Sequence, residues 1–218
     1  MKFTNYTFFL LLALALFSCQ TENSNQINQA EDPILTDNSA DSLKFSYTPG
    51  TIKVNWTARK HSNEAKVEGR FDSISINGFL ESSDIVTAMS GVTFNIFTSS
   101  TNTNDKVRDL TIINSFFGKL KSSLQIVGSI SNIEGVNNGT GTVLIDMNNV
   151  KKEVAFKWKL DENDMFLLKT IINILDWDAS SAFNFLNTAC LEKHTGPDGK
   201  NKLWSDIEVR VFTTLKRK

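Results

Sequence analysis

The sequence predicts an all-β domain, an eight-stranded antiparallel barrel with one or two short helices. Apolar and polar residues alternate in three segments, TIKVNWTA (51–58), VKKEVAFKWKL (150–160) and KLWSDIEVRVFTTLK (202–216), and strict alternation of this length indicates half-buried antiparallel strands. Five further strands are predicted at residues 64–79, 91–98, 123–133, 140–148 and 164–174. Eight strands suit a small closed barrel better than an open sheet.

The first two predicted strands differ in regularity. In residues 51–58 the apolar side chains all fall at even positions, so Trp56 and Ala58 share one face. In residues 64–79 the apolar positions are odd at Val67 and Phe71 and even at Ile74 and Ile76. This slip near residues 72–73 predicts either a β-bulge or two strands separated by a corner.

Two helices are predicted from capping residues. Asn104 or Asp105 can cap a helix within KVRDLTIINSFFGKL (106–120), and Asp178 can cap a second helix within ASSAFNFLNTACLEKH (179–194). The sequence TGPDGKNK that follows is typical of a turn, and we expect it to lead into the last strand.

The N-terminus has the order of an export signal. Lys2 is followed by an unbroken apolar run at residues 8–17, then by Ser18 and Cys19. As a helix the apolar run would be about 15 Å long, roughly half the thickness of a bilayer core, so it is too short to span a membrane. Residues 16–19 resemble the lipobox of bacterial lipoproteins, in which the cysteine becomes a lipidated N-terminus. The alternative is an ordinary secretory signal that happens to end near a cysteine.

These features predict three parts of the chain: a lipoprotein signal peptide at 1–18, a lipidated tether at 19–50 and a barrel at 51–218. The tether segment is rich in Asn, Gln, Ser and Asp, a composition too polar to fold alone. As a flexible chain of roughly 30 residues it would reach about 30 Å. We therefore expect an exported protein, periplasmic or on the cell surface, anchored to a bacterial membrane through lipid on Cys19.

Charge and motifs exclude several functions. The chain has 23 basic and 24 acidic residues and no long basic run, which argues against a nucleic-acid partner. No nucleophile elbow, phosphate-binding loop or zinc-protease motif occurs. We predict no catalytic residues, no cofactor and no enzymatic activity, although a hydrolase or metal enzyme at the barrel mouth stays as a third hypothesis.

Cys190 and His194 are the one pair with metal-ligand spacing. They lie four residues apart and would share a face of a helix. Two ligands complete neither a structural nor a catalytic zinc site, so the sequence predicts no metal site. The simpler interpretation is a buried cysteine and a histidine near the end of a helix.

The chain contains sixteen phenylalanines, and this composition bears on what fills the interior of the predicted barrel. In an eight-stranded barrel, inward side chains either fill the interior or line a cavity for one small ligand. A cavity of Phe, Ile and Val would favour a long apolar molecule. The pattern alone leaves the packed core and the cavity equally open.

Three segments resemble the YceI-like family. KVNWTARKHSNEAKVEGRFDSI is similar to its opening strands, and RDLTIINSFFGKL to its helix with an Arg-Asp start and a Phe-Phe end. FNFLNTACLEKHTGPDGKNKLWSDIEVRV resembles a lipoprotein branch of the same family. One departure is that His61 and Ser62 follow the first strand, in an expected turn, so no ligand role is transferred to them.

The resemblance implies a lipocalin-like barrel that encloses a polyisoprenoid chain in an apolar tunnel. It therefore implies a membrane-tethered carrier, store or sensor of a long-chain lipid. The alternative is a structural or partner-binding lipoprotein whose barrel is solidly packed and holds no ligand. As a hypothesis, the tunnel-lining residues are Val67, Phe71, Phe94, Ile96, Phe116, Phe117, Phe156 and Trp158.

Overall fold

The computed structural model describes residues 43–218. The predicted signal peptide, Cys19 and the predicted tether up to residue 42 lie outside the described residues. Twelve strands are formed within the described part. They are β1 (Phe45–Ser46), β2 (Lys53–Lys60), β3 (Ala65–Phe71), β4 (Ile74–Asn77), β5 (Thr93–Phe97), β6 (Thr101–Asn102), β7 (Gln125–Gly135), β8 (Asn138–Met147), β9 (Val150–Leu160), β10 (Met165–Asn173), β11 (Asp206–Thr214) and β12 (Lys216–Arg217).

Short helices occupy the longer connections of the described chain. The α-helices are α1 (Ile85–Met89), α2 (Lys106–Ser115), α3 (Ser180–Ala189) and α4 (Leu191–His194). Single 3-10 turns occur at Thr98–Ser100, Phe117–Lys119 and Ile174–Trp177. No helix among residues 43–218 is both long enough and apolar enough to cross a bilayer.

One antiparallel sheet curls into the barrel. Its strand order is β4-β5-β7-β8-β9-β10-β11-β2-β3-β6, so each long strand pairs with its neighbour in sequence and β11 returns to β2. The two ends of this order are joined by the chain itself, because β3 continues into β4. Counting β3 with β4 as one bent strand, and β5 with β6 as another, reduces the ten strands of this sheet to the eight that the sequence predicts, so the predicted all-β fold class is confirmed.

The bend between β3 and β4 falls at the predicted phase slip. Asp72 N donates to Ser100 O at 3.0 Å, and Phe97 N donates to Ser73 O at 3.1 Å. The chain of β5 and β6 therefore follows the bent strand around the corner. Of the two predicted alternatives, two strands with a corner between them is the correct one.

Strand connections alternate between the two ends of the barrel, because neighbouring strands are antiparallel. One end carries the β2–β3 turn, α2 and the α3–α4 connection between β10 and β11. The other end carries α1, the short turns after β7 and β9, and the β1–β12 pair. Near this second end, six buried apolar side chains form a group that we call the packed cluster: Phe45, Ile133, Phe156, Trp158, Leu160 and Leu215.

Folded structure begins before the predicted boundary at residue 51. Phe45 is only 3% exposed, and β1 pairs with β12 so that Phe45 lies opposite Arg217. The Arg217 guanidinium lies 4.5 Å from the centre of the Phe45 ring. The prediction that the tether extends to residue 50 is therefore wrong for residues 45–46. These residues form a strand because β12, at the opposite end of the chain, pairs with them.

The two predicted caps have different outcomes. Asp105 caps α2, where its Oδ1 accepts hydrogen bonds from Val107 N and Arg108 N at 3.1 Å. Asp178 does not cap a helix, because it ends the preceding 3-10 turn in a left-handed conformation with φ 54°. The predicted single helix at 179–194 is instead α3 and α4, which meet at Cys190.

Candidate functional site

The barrel encloses a cavity of about 500 Å³. It extends from α2, α3 and α4 at one end of the barrel to Met89 of α1 and Phe166 of β10. The strand residues that line it are almost entirely aliphatic or aromatic, and they include Val54, Trp56, Ile74, Ile76, Ile126, Ile145, Ile172, Ile207, Val209 and Val211. Its size lies within the range of roughly 300–1,000 Å³ that is typical of small-molecule sites.

Burial of the inward side chains shows that this space is not filled by protein. Ile145, Ile172 and Val209 point into the barrel but are only half-buried. Phe156 and Trp158 of the packed cluster also point inward, and each is 3% exposed. The interior is therefore hollow along much of its length, and the alternative of a solidly packed barrel is wrong for the described residues.

Glycines on the inner surface make room for the aromatic rings of neighbouring strands. A Cβ at Gly69 would overlap the Trp56 ring, and one at Gly128 would overlap the Phe94 ring. In both cases the ring lies along the barrel wall over a position that carries no side chain. These bulky rings consequently line the cavity without filling it.

Six of the eight residues predicted to line a tunnel do border the cavity. They are Val67, Phe71, Phe94, Ile96, Phe116 and Phe117. The last two follow α2 and pack edge to face, with ring centres 5.1 Å apart. Phe117 also packs against Phe71 at 6.1 Å, so the predicted Phe-Phe pair joins α2 to the barrel wall.

Phe156 and Trp158 do not border the cavity, although their predicted inward orientation is correct. The Phe156 ring lies over Gly141 of β8. Trp158 stacks on Phe166 with ring centres 5.5 Å apart, and its Nε1 donates to Glu134 O at 3.0 Å. Both rings are therefore held in the packed cluster. The alternation of glycines in NGTGT at residues 138–142 is the sequence signal that could have indicated this.

Polar groups gather at the end of the cavity beneath α2 and α4. Lys60, Arg108, Lys193 and His194 border it there. Lys60 Nζ donates to Lys193 O at 2.8 Å, and Arg108 donates to Thr103 from Nε at 2.8 Å and from Nη2 at 3.0 Å. Sequence reasoning missed Lys60, Arg108 and Lys193, because they lie at the end of β2, in α2 and in α4, which are remote from one another in sequence.

Cys190 and His194 also border the cavity. Burial raises the pKa of the Cys190 thiol, which disfavours the reactive thiolate. Burial, with Lys60 and His61 nearby, lowers the pKa of His194 to about 4. Residues 43–218 contain no group of three or more His, Cys, Asp or Glu side chains arranged to hold a metal ion. The metal-ligand spacing seen in the sequence therefore gains no third ligand in this part of the chain.

No protein-family model matches the chain, and none of the curated proteins matches it either. Solved structures do match its fold. A polyisoprenoid binding domain from Saccharophagus degradans superposes with a TM-score of 0.53 and 12% identity, covering 81% of this chain and 99% of that domain. Burkholderia cenocepacia BcnA superposes with a TM-score of 0.52 and 16% identity, covering 75% of this chain and 94% of the BcnA chain.

A mutant YCEI protein, from Campylobacter jejuni, gives a TM-score of 0.50 at 16% identity and covers 73% of this chain and 89% of its own. These three similarities extend over most of each solved chain. Identities this low establish the fold rather than a shared activity. Residues 43–218 therefore have the YceI-like fold, a curled antiparallel β-sheet with a few short helices.

Proposed function

We propose that this protein binds a long apolar lipid, of the polyisoprenoid class, inside its barrel and carries, stores or senses it without catalysis. The observation that carries the proposal is the cavity of about 500 Å³ with an almost wholly apolar lining. Each CH₂ group moved from water into such a lining contributes roughly 0.8 kcal/mol. A chain of many CH₂ groups can therefore be held without any strong polar contact.

The fold of the solved structures supports the same class of ligand. One of them is described as a polyisoprenoid binding domain, and its chain is covered almost completely by the alignment. A branched prenyl chain also suits a lining of Ile, Val and Phe side chains, because methyl branches can pack between β-branched residues.

Solvent extraction followed by mass spectrometry tests this proposal. The full chain carrying Cys19→Ser, purified without detergent, should release a prenyl or other long-chain lipid in near-stoichiometric amount. Cys19→Ser combined with Val209→Trp is the matched control and should release little, because an indole at residue 209 would occupy the cavity. An empty extract from the first protein, together with no uptake of added geranylgeraniol, would overturn the proposal.

The same proposal includes a membrane anchor on Cys19. The lipobox-like residues 16–19 and the polar segment after them support it. A barrel on a tether of about 30 Å would stay close to the bilayer in which its ligand dissolves. Fractionation of cells tests this: wild type should sediment with membranes, whereas Cys19→Ser should become soluble and still bind lipid. Recovery of both proteins in the soluble fraction would contradict an anchor.

Loss of lipid binding in Cys19→Ser would have a different meaning. It would indicate that the acyl chains attached to Cys19 are themselves the molecule held in the barrel. Adding geranylgeraniol to the variant distinguishes the two cases, because a barrel that accommodates a free prenyl chain will still take it up.

A further inference from the structure

His194 is an unusual residue for the wall of a lipid cavity. It ends α4, it is 8% exposed, and it borders the cavity where α4 covers the barrel. Its backbone is fixed, because His194 N donates to Cys190 O at 2.8 Å and His194 O accepts from Lys202 N at 3.0 Å. A buried imidazole normally has partners for both ring nitrogens.

A chain of amide hydrogen bonds determines which ring nitrogen carries the proton. Asn201 Nδ2 donates to Leu191 O at 3.1 Å, so Asn201 Oδ1 is left to accept from Asn187 Nδ2 at 2.7 Å. Asn187 Oδ1 must then accept from His194 Nδ1, which lies 2.8 Å away. His194 is therefore protonated on Nδ1, and Nε2 has a lone pair.

The Nε2 atom has no hydrogen-bond partner among residues 43–218. Within that range only one buried side-chain atom is both sealed and unpaired, and it is Asn95 Oδ1. Nε2 therefore keeps open space beside it, in a side chain that borders the cavity. A buried acceptor without a partner is energetically unfavourable, and the described part of the protein supplies no donor to Nε2. A bound ligand could supply it.

The charges around His194 keep it an acceptor. Lys60 and His61 lie close enough to disfavour a second proton on the ring. Lys193 and Arg108 border the same end of the cavity, where Asp105 is the acidic residue. The Asp105 carboxylate is occupied by the backbone of α2. The ammonium groups of Lys60 and Lys193 are donors, but neither is hydrogen-bonded to Nε2 in the described residues, and Lys60 Nζ donates instead to Lys193 O.

We infer that His194 Nε2 accepts a hydrogen bond from a hydroxyl group at the polar end of the bound lipid. This inference rests on the proposed lipid-binding function and adds an orientation and a specificity to it. The ligand would be a prenol, phenol or reduced quinol, with its hydroxyl beneath α4 and its chain running toward Phe166. Lipids that end in a carbonyl or an ether offer no donor to the imidazole.

Paired probes test the inference on the full chain carrying Cys19→Ser. Geranylgeraniol can donate a hydrogen bond, whereas its methyl ether cannot. Tryptophan fluorescence reports both, because Trp56 and Trp204 border the cavity. We expect the alcohol to bind about three- to tenfold more tightly, the equivalent of one net hydrogen bond. This preference should not change between about pH 6 and pH 8, since the His194 pKa is about 4.

Two variants separate hydrogen bonding from the extra volume of the ether methyl group. His194→Phe removes the acceptor and should bind both probes equally, whereas His194→Gln keeps an acceptor oxygen and should retain part of the preference. A preference that survives in His194→Phe would overturn the inference, because it would be steric.

The two probes also test the inference on the protein with His194 unchanged, so the test stands even if neither His194 variant folds. Equal affinity for the two probes would overturn the role of His194 and leave lipid binding intact. Binding of neither probe would instead overturn the proposed function, and the role of His194 with it.

Discussion

Trp158 and Val209 both point into the same barrel, but their surroundings differ. Trp158 is 3% exposed, stacks on Phe166 and belongs to the packed cluster. Val209 is half-buried and borders the cavity. The packed cluster is dominated by large aromatic and aliphatic side chains, whereas the cavity wall holds β-branched residues and rings that lie flat over glycines.

This difference separates stability from binding within one fold. Close packing removes apolar surface from water and gains dispersion contacts, and both effects stabilise the folded chain. The cavity wall forgoes part of that stabilisation and leaves apolar surface for a ligand. Substitutions should therefore affect unfolding at one end of the barrel and binding at the other.

Truncation of the packed cluster should have the largest effect. Trp158→Ala removes a buried indole and leaves a void, so we expect the free energy of unfolding to fall by about 3–5 kcal/mol. Ile145→Ala is the matched truncation in the cavity wall and should cost less, because it enlarges a space that already exists. Chemical denaturation without added lipid measures both. Equal losses would contradict the distinction between the two regions.

Enlarging a side chain should again cost more stability in the packed cluster, but it should impair lipid binding only in the cavity. Ile133→Trp overfills the packed cluster, and we expect it to cost about 1–3 kcal/mol of unfolding free energy. Val209→Trp places the same indole in the cavity, so its stability should stay within about 1 kcal/mol of the wild type. Lipid binding should be lost in Val209→Trp and kept in Ile133→Trp. Full lipid capacity in Val209→Trp would show that the cavity is not the binding site.

Gly69→Ala tests the role of the inward glycines. The added methyl group would push the Trp56 ring from the wall into the cavity, and we expect a loss of about 1–2 kcal/mol together with weaker lipid binding. In a Trp56→Leu background the same substitution should cost nothing, because the overlapping ring is gone. A double-mutant cycle measures this coupling, and strict additivity would exclude it.

The smallest effect concerns charge at the margin of the cavity. His194 has a folded-state pKa of about 4, below the roughly 6.5 of an unfolded chain. As the pH falls, the unfolded chain therefore takes up a proton on His194 at a higher pH than the folded chain does. The free energy of unfolding consequently decreases as the pH drops below about 6.5. From about pH 7.5 to about pH 6 we expect a loss below about 1 kcal/mol. His194→Gln should remove this pH-dependent loss of unfolding free energy, whereas the control His61→Gln should retain it. If His194→Gln kept the pH profile of the wild type, the assignment of the loss to His194 would be wrong.

Much of the fold was accessible from sequence because its strongest signals are local. Alternation identified β2, β9 and β11, and the phase slip located the corner at residues 72–73. Asp105 is a cap as predicted, because its carboxylate needs only the next turn of its own chain. The pairing of Phe45 with Arg217 was missed, since a two-residue strand has no periodicity and its partner is at the opposite end of the chain.

The candidate site was only partly predictable. The inward face could be identified, but inward apolar residues are compatible with both a filled and a hollow barrel. The outcome depends on where each ring lies, and this is set by glycines on the neighbouring strand, as for Trp56 over Gly69 and Phe156 over Gly141. The environment of His194 depends on Asn187 and Asn201, whose contact required the fold of α3 and the turn before β11.

Photo-crosslinking most directly tests whether the hollow region holds the lipid. A prenyl alcohol with a diazirine on its chain would be bound to the full chain carrying Cys19→Ser, irradiated, and mapped by peptide mass spectrometry. We predict labels on cavity residues such as Ile145, Ile172 and Val209, and none on Ile133 or Trp158 of the packed cluster. Labels on the packed cluster, or only on the outer face of the barrel, would contradict the claim that the lipid lies in the cavity.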